Sequence, residues 1–523
     1  GRGLRAAAAT AAVILTLHAG EFSGAKRWWS YIEFLASDNL EGREAGSEGH
    51  RKAAEYVAGE FTRSGLKPAG ASGYIQPVKL LSRQIVEAQS SLILVRNGKR
   101  EPLTLGDDAL ISMRVEPPEH LSAPLVFVGY GLVVPETHYD DLAGVDLRGK
   151  IAVYLTGGPP SIPGPLRSHY QSAGERAKLW HRTGAVGTVA LIDPRTSDLP
   201  WSRTSAARLQ PAMSLADRAE DTKLSVTVNS ERADKILDGS GHRFQELLAL
   251  AKAGKRLPVF PIPAMLEARV KVEHSQVESQ NLAAIYPGTD PKLKNEYVAL
   301  SAHLDHLGKG HPIHDDSIYN GAMDDASGIA TLLDMAASLH ESGVKFRRSL
   351  LFVAVTAEEK GLLGSQYFAA HPTVPAGDIV ADLNIDMFLP LYPMRILTAI
   401  GAGESDLGDR LRAVAAPLGV TIQNDPEPQR NRFIRSDQYN FIQIGVPALA
   451  FKVGYTKGSP QEAIANRWQA ERYHAPSDDL NQPVDFQSAA DFNHVILLLA
   501  ESIANQTERP RWKQDSFFRR YAK

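Results

Sequence analysis

Between residues 297 and 359 the chain alternates apolar, β-branched-rich runs with abrupt stops at imidazole and carboxylate side chains. One run ends at His303 with Asp305, another at Glu358 with Glu359, and between them Asp324-Asp325-Ala-Ser-Gly opens a helical pattern. Short continuous apolar runs read as strands buried on both faces, which need helices on either side. That restricts this part of the chain to an α/β class with a mostly parallel, mixed sheet. In such a sheet function gathers where strands end and loops begin.

The alternation extends beyond this stretch. A strand is expected over Ile379–Met387, ending at Asp386, with further strands at Ile396–Ile400, Val420–Gln423 and Pro447–Val453. Helical periodicity marks Trp28–Leu40, Lys52–Gly65, Ala326–His340, Gly361–Ala370 and Phe486–Asn505. Residues 457–472 read as a helical flap. Short strand-like runs and turns fill 74–115, and a separate strand-and-helix unit begins near Pro124. Its His169 and His181 read as surface residues, since no dense ligand cluster accompanies them.

The chain has 523 residues, too many for one core, so two or three domains are expected. We read 27–115 as the first part of the main domain, 116–275 as an insertion and 276–508 as the main domain proper. Residues 1–22 have a basic front and an apolar run from Ala6 to Leu17, the pattern of a secretory signal. This implies a secreted or periplasmic protein, with no stable membrane insertion of the mature chain. The formal charge of -3 and the lack of long basic runs give no reason to expect nucleic acid as a partner. Cysteine is absent, which excludes disulfides, thiolate zinc sites and a cysteine nucleophile. Any metal must be held by His, Asp and Glu.

Those residues are present at the right places. His303 and Asp305 are spaced i, i+2, so on a continuing strand they share a face, His303 as ligand and Asp305 accepting its other ring N–H. One of Asp324 and Asp325 is placed to bridge two ions. Glu358 and Glu359 are adjacent, so their side chains diverge, one toward metal and one toward substrate as a base. Asp386 and His474 complete a set of two His, two Asp and one Glu, plus a second Glu. That set suits two Zn2+ per chain sharing a water. His306, His311 and His314 crowd the same loop and are read as surface or mouth residues.

The motifs SAHLDHLG, NGAMDDASG, VTAEEKGLLGS, NIDM, RSDQYNFIQIGVPAL and RYHAPSDD, in that order, resemble the co-catalytic dizinc aminopeptidases and glutamate carboxypeptidases of metallopeptidase family 28 (clan MH). LEGREAGSEGHRKAAEYVAGEF adds weaker similarity. The resemblance implies a phosphorylase/hydrolase-like zinc exopeptidase fold acting on peptides. The insertion, with GKIAVYLTGG and LWHRTGAVGTVALID, is similar to a β-rich protease-associated domain. By the same resemblance, His303 and Asp386 bind one zinc, Glu359 and His474 the other, and Asp324 bridges. Glu358 is the general base, Tyr473 steadies the oxyanion, and Arg435 and Asp437 contact substrate. Gln438 departs from the histidine common at its position. The leading expectation is an aminopeptidase. A carboxypeptidase or dipeptidase with a basic pocket (Arg430, Arg432, Arg435) and a non-catalytic, receptor-like binding protein are the alternatives.

Overall fold

The structure is a computed structural model that describes residues 25–218 and 221–523. The expected signal segment over 1–22 lies outside the described residues. The chain divides into two compact units, one of 1–78, 278–426 and 435–523, the other of 79–277 and 427–434.

A ten-stranded mixed sheet runs through the first unit, and eight of its strands are β1 (Ile75–Ile85), β2 (Val272–Tyr286), β3 (Tyr297–His303), β4 (Ser349–Val355), β5 (Ile379–Asn384), β6 (Ile396–Ile400), β7 (Thr421–Gln423) and β8 (Ala448–Val453). β1 and β2 continue from the second unit, and the order is β1-β2-β4-β3-β5-β8-β6-β7. The centre, β4-β3-β5-β8, is parallel, and β2 and β6 join it antiparallel. Every residue of β4 and β5 is buried, as a sheet covered on both faces requires.

Strand alternation divides these side chains between two cores. Leu300 and Phe352 join Val57 and Phe61 of helix α1 (Glu48–Arg63), Ile329 and Leu332 of α2 (Ser327–Ser342), and Phe492 and Val495 of α6 (Phe486–Asn505). Ala299, Leu351 and Val353 face the other way, onto Phe368 of α3 (Leu363–Ala370) and Phe441 of α4 (Gln438–Gln443). The stretch read as a flap forms helix α5 (Pro460–Glu471). At the start of α2, a Cβ on Gly328 would meet the Ile385 carbonyl at 2.3 Å, so only glycine admits the helix this close to the loop after β5.

α1 starts four residues before the sequence pattern suggested. Ser47 caps it by accepting from the His50 backbone N–H, which brings His50 inside the helix and the core. His50 Nε2 has no hydrogen-bond partner among the described residues, and burial lowers its pKa from 6.5 to about 4. A depressed histidine pKa makes the unfolded chain bind protons first, so this stabilisation is full above about pH 6.5 and is lost as pH falls toward about 4. The shift corresponds to roughly 3 kcal/mol. Urea unfolding between pH 7 and 4 is expected to show a shallower loss of stability in His50→Gln than in wild type. Parallel slopes would mean that His50 is charged in the fold.

The second unit is built on an eight-stranded sheet whose centre runs Val259–Arg269, His120–Val128, Ile151–Leu155, Gly187–Leu191 and Leu224–Val228. Its boundaries correct the sequence reading in two places. It begins at Lys79 and not near 116, because Ser91–Arg96 pairs with Val259–Arg269 and with Lys99–Leu103. It also takes in 427–434 from the middle of the expected main domain, where Asn431 bonds Ser168 and Gln171 and Arg430 pairs with Asp198. His181 is exposed, but His169 is buried against the Tyr170 ring. Among the described residues no helix is long and apolar enough to cross a membrane.

Candidate metal centre

The ends of parallel strands β3, β4 and β5 lie side by side, and the loops leaving them converge. His303 is the last residue of β3 and is 1% exposed. Its Nε2 lies 3.1 Å from Asp324 Oδ1, 3.6 Å from Asp386 Oδ1 and 3.9 Å from Glu358 Oε2. His474, from the loop after α5, brings its Nε2 to 3.3 Å from Asp324 Oδ2 and 3.1 Å from Glu359 Oε2. The two oxygens of Asp324 therefore face the two imidazoles, with Asp386 on one side and Glu359 on the other.

Asp325 also lies within 4.8 Å of the His303 and Asp386 ligand atoms. Its oxygens, however, accept backbone N–H groups from His303 (3.2 Å), Gly328 (3.0 Å) and Met387 (3.1 Å). It ties β3, α2 and the loop after β5 together, while Asp324 is turned into the cluster. Asp324 is itself aimed from behind: fully buried Asp478 accepts from the Met323 and Asp324 N–H groups at 2.9 and 3.0 Å.

One expectation changes and another gains detail. The Asp305 carboxylate lies near His303, its Oδ1 3.6 Å from Nδ1, but the nearer acceptor is the Asp305 carbonyl. β3 stops at His303, so the chain turns and presents the Asp305 carbonyl, 3.0 Å from Nδ1. The Asp305 carboxylate also accepts from the Glu358 and Glu359 N–H groups at 3.0 and 3.1 Å, which fixes the adjacent acids. His306 is not a surface residue. It is fully buried, with Nδ1 2.9 Å from Glu359 Oε1.

The remaining expected residues occupy different depths. The Tyr473 ring stacks on His474 with centroids 4.0 Å apart, and its phenol oxygen accepts from exposed Arg435 at 3.3 Å. Asp437 offers substrate no surface: it is 0% exposed and accepts from Ser365 Oγ at 2.5 Å. Burial pushes its carboxyl up to about 7. Arg430 and Arg432 pair with Asp198 and Glu427 in the second unit, and Arg435 lies beside Tyr473.

The adjacent glutamates are driven apart electrostatically. Burial holds Glu358 well above the usual carboxylate range; His303 opposes this, and Glu359, Asp386 and Asp437 add to it. Glu359 is buried too, yet His474 holds it at about 2. Burial works against charge on His474, but Glu359 and Asp324 push it up to about 10. A buried cluster with this excess of carboxylate must bind protons or a cation. His303 Nε2 is buried and forms no aligned hydrogen bond, despite carboxylates on three sides. The donor set, imidazole and carboxylate with no sulfur, fits zinc or another borderline divalent ion.

Sequence reasoning missed Arg43, Asp478 and Ser436. Arg43 is fully buried and donates to the Leu304, Asn320 and Gly321 carbonyls, on the loops that carry the site. Asp478 and Ser436 lay within motifs already singled out, RYHAPSDD and RSDQYNFIQIGVPAL; the available signal was a polar residue four positions after His474 and another between Arg435 and Asp437.

Comparison with known proteins agrees with this geometry. Residues 281–500 match Peptidase family M28. The chain is similar to a "probable leucine aminopeptidase 2" of Aspergillus oryzae, 28% identical over 313 residues, which are 56% of this chain and 58% of that protein. It is also similar to "Carboxypeptidase Q" of Xenopus laevis, 24% identical over 364 residues, 68% of this chain and 65% of that one. The chain thus spans less than two thirds of either relative. The fold resembles that of an aminopeptidase from Aneurinibacillus sp. strain AM-1, with a TM-score of 0.56 at 20% identity, covering 93% of this chain and 95% of that one. The stretch that carries the buried cluster belongs to Peptidase family M28.

Proposed function

We propose that this chain is a zinc-dependent exopeptidase that removes N-terminal residues from peptides, a dizinc metallo-aminopeptidase. The observation that carries the reading is Asp324, whose two oxygens face His303 and His474 while Glu358 stands beside them without joining the His474 side. In this reading His303 and Asp386 hold one ion, Glu359 and His474 the other, and Asp324 lies between. Bound there, zinc acidifies water and polarises the scissile carbonyl.

The chain's own residues do the rest. Glu358 accepts the proton of the attacking water and returns it to the leaving amine, a role suited to a carboxyl whose proton affinity burial has raised. Asp305, by holding both glutamate N–H groups, keeps base and ligand pointing apart. Tyr473, whose oxygen accepts from Arg435, is the group we assign to the oxyanion of the tetrahedral intermediate. We assign the second unit as an inserted protease-associated domain, supported by its β-rich sheet and its place between residues 78 and 278. Export rests on the pattern of residues 1–22.

A carboxypeptidase or dipeptidase is the second reading, favoured by the similarity to Carboxypeptidase Q. It wants a basic pocket, and the pairing of Arg430 and Arg432 weighs against that. A receptor-like binding protein has no use for a Glu358 left outside the ligand set. Purified protein should hydrolyse aminoacyl-nitroanilides, lose that activity to a chelator and regain it with zinc. Cleavage of N-blocked dipeptides without action on nitroanilides would overturn the aminopeptidase reading. Inertness toward both, with less than one zinc bound per chain, would overturn the enzyme.

A further inference from the structure

Among the described residues, Asp382 is a deeply buried carboxyl that the site described above leaves unused. Asp382 lies in β5, four residues before Asp386, and is 0% exposed. An acid in a strand covered on both faces is rare unless something satisfies it. Asp382 and Asn384 project from the same face, and Ser301 of β3 sits between them. Ser301 Oγ is 2.7 Å from Asp382 Oδ1 and 3.0 Å from Asn384 Oδ1. Asn384 Nδ2 donates to Ser436 Oγ at 2.8 Å and to Gln438 Oε1 at 2.9 Å. Ser436 Oγ donates to Asp386 Oδ2 at 2.6 Å.

Counting hydrogens gives this chain a direction. A serine hydroxyl has one hydrogen and an amide two. Asp386, as an ionised ligand, only accepts, so the Ser436 hydrogen is spent on it. Ser436 must then accept from Asn384, which turns the Asn384 oxygen toward Ser301. That oxygen needs the single Ser301 hydrogen. The 2.7 Å contact between Ser301 and Asp382 is then a hydrogen bond only if Asp382 supplies the proton. An ionised Asp382 would leave two acceptors competing for one hydrogen. Its Oδ2, moreover, has no hydrogen-bond partner among the described residues, a lighter cost for a neutral acid than for a carboxylate.

We propose that Asp382 is a positioning residue: as a neutral carboxylic acid it heads a one-way hydrogen-bond chain, through Ser301, Asn384 and Ser436, that fixes Asp386. The chain pins Asp386 Oδ2 and so presents Oδ1 to the centre, on the side of His303. Burial, reinforced by nearby Asp437, acts on the Asp382 carboxyl in the same direction and favours the proton. The inference rests on Asp386 being a metal ligand.

Two measurements on the full chain test it. At neutral pH, the infrared spectrum of wild type minus Asp382→Asn should contain the band of a protonated carboxyl, shifted in heavy water. Zinc affinity, from competition with a chromogenic chelator, should fall about 10–100-fold in Ser301→Ala and in Asp382→Leu. It should stay within about twofold of wild type in Asp382→Asn, whose amide donates to Ser301 as the acid does. If Asp382→Leu fails to fold, Ser301→Ala and the infrared band decide. Absence of the band, or an Asp382→Asn as damaging as Ser301→Ala, would overturn the proposal. Asp386→Ala separates the two levels. Unchanged zinc affinity in it removes the ligand reading itself. A loss there with none in Ser301→Ala removes only the relay.

Discussion

Glu358→Gln is expected to lower kcat by about 10²–10⁴-fold while leaving bound zinc unchanged, the loss typical of a missing general base. Glu359→Ala is expected to lose metal as well as activity. The two residues are neighbours in sequence, yet their surroundings are opposite. Glu359 Oε2 lies 3.1 Å from His474 Nε2 and Oε1 lies 2.9 Å from His306 Nδ1, so both oxygens are engaged by imidazole. Glu358 approaches His303 at 3.9 Å and keeps an 11% exposed side chain. Glutamine keeps the shape of Glu358 and the Asp305 contact, which is made to backbone, and removes only the capacity to take a proton. Zinc analysis beside steady-state kinetics separates the roles. Metal loss in Glu358→Gln with retention in Glu359→Ala would exchange the assignments.

The sequence was most informative where the local pattern and the fold obey the same rule. β4, β5 and α6 announce themselves because a strand buried on both faces must be apolar throughout, and because α6 repeats its apolar positions with helical period over its whole length. Of the six residues that converge, His303, Glu358, Glu359 and Asp386 were legible for the same reason, since each follows such a run, while Asp324 and His474 were carried by their motifs. His306 was misread because a histidine in a polar loop was taken as exposed, whereas the chain turns inward after His303, where β3 ends. The start of the second unit was misplaced because Ser91–Arg96 is claimed by a partner at 259–269, far along the chain, and local periodicity carries no record of that pairing. Arg43 was invisible on a similar ground: nothing near LEGREAG tells which carbonyls a guanidinium will find.

Arg43→Met is expected to destabilise the larger unit by about 3–5 kcal/mol, the scale of removing one partner from a buried charged network. The guanidinium is 0% exposed and donates to the carbonyls of Leu304 at 2.8 Å, Leu35 at 2.5 Å, Asn320 at 2.7 Å and Gly321 at 3.1 Å. Leu304 follows ligand candidate His303, and Gly321 precedes Asp324 by three residues, so one side chain joins two of the loops that build the centre. Burial lowers the Arg43 pKa to about 10, with Asp305, Asp478, Asp325 and Asp324 opposing, and the charge persists at neutral pH. Methionine fills much of the volume but removes the Arg43 donors from the Leu304, Leu35 and Asn320 carbonyls, while Gly321 keeps the Ala326 N–H, and each buried carbonyl left unpaired costs about 1–3 kcal/mol if water does not reach it. It also removes a cation set among those four aspartates, so their mutual repulsion rises as the fold weakens. Arg43→Lys should fall between, because an ammonium keeps the charge but its compact donors do not span four acceptors. Urea unfolding of the three proteins, with and without added zinc, gives the order. A methionine variant within about 1 kcal/mol of wild type would mean that water or the surrounding chain satisfies those carbonyls unaided, and that the loops bearing His303 and Asp324 are held by Asp325 and Asp478 alone.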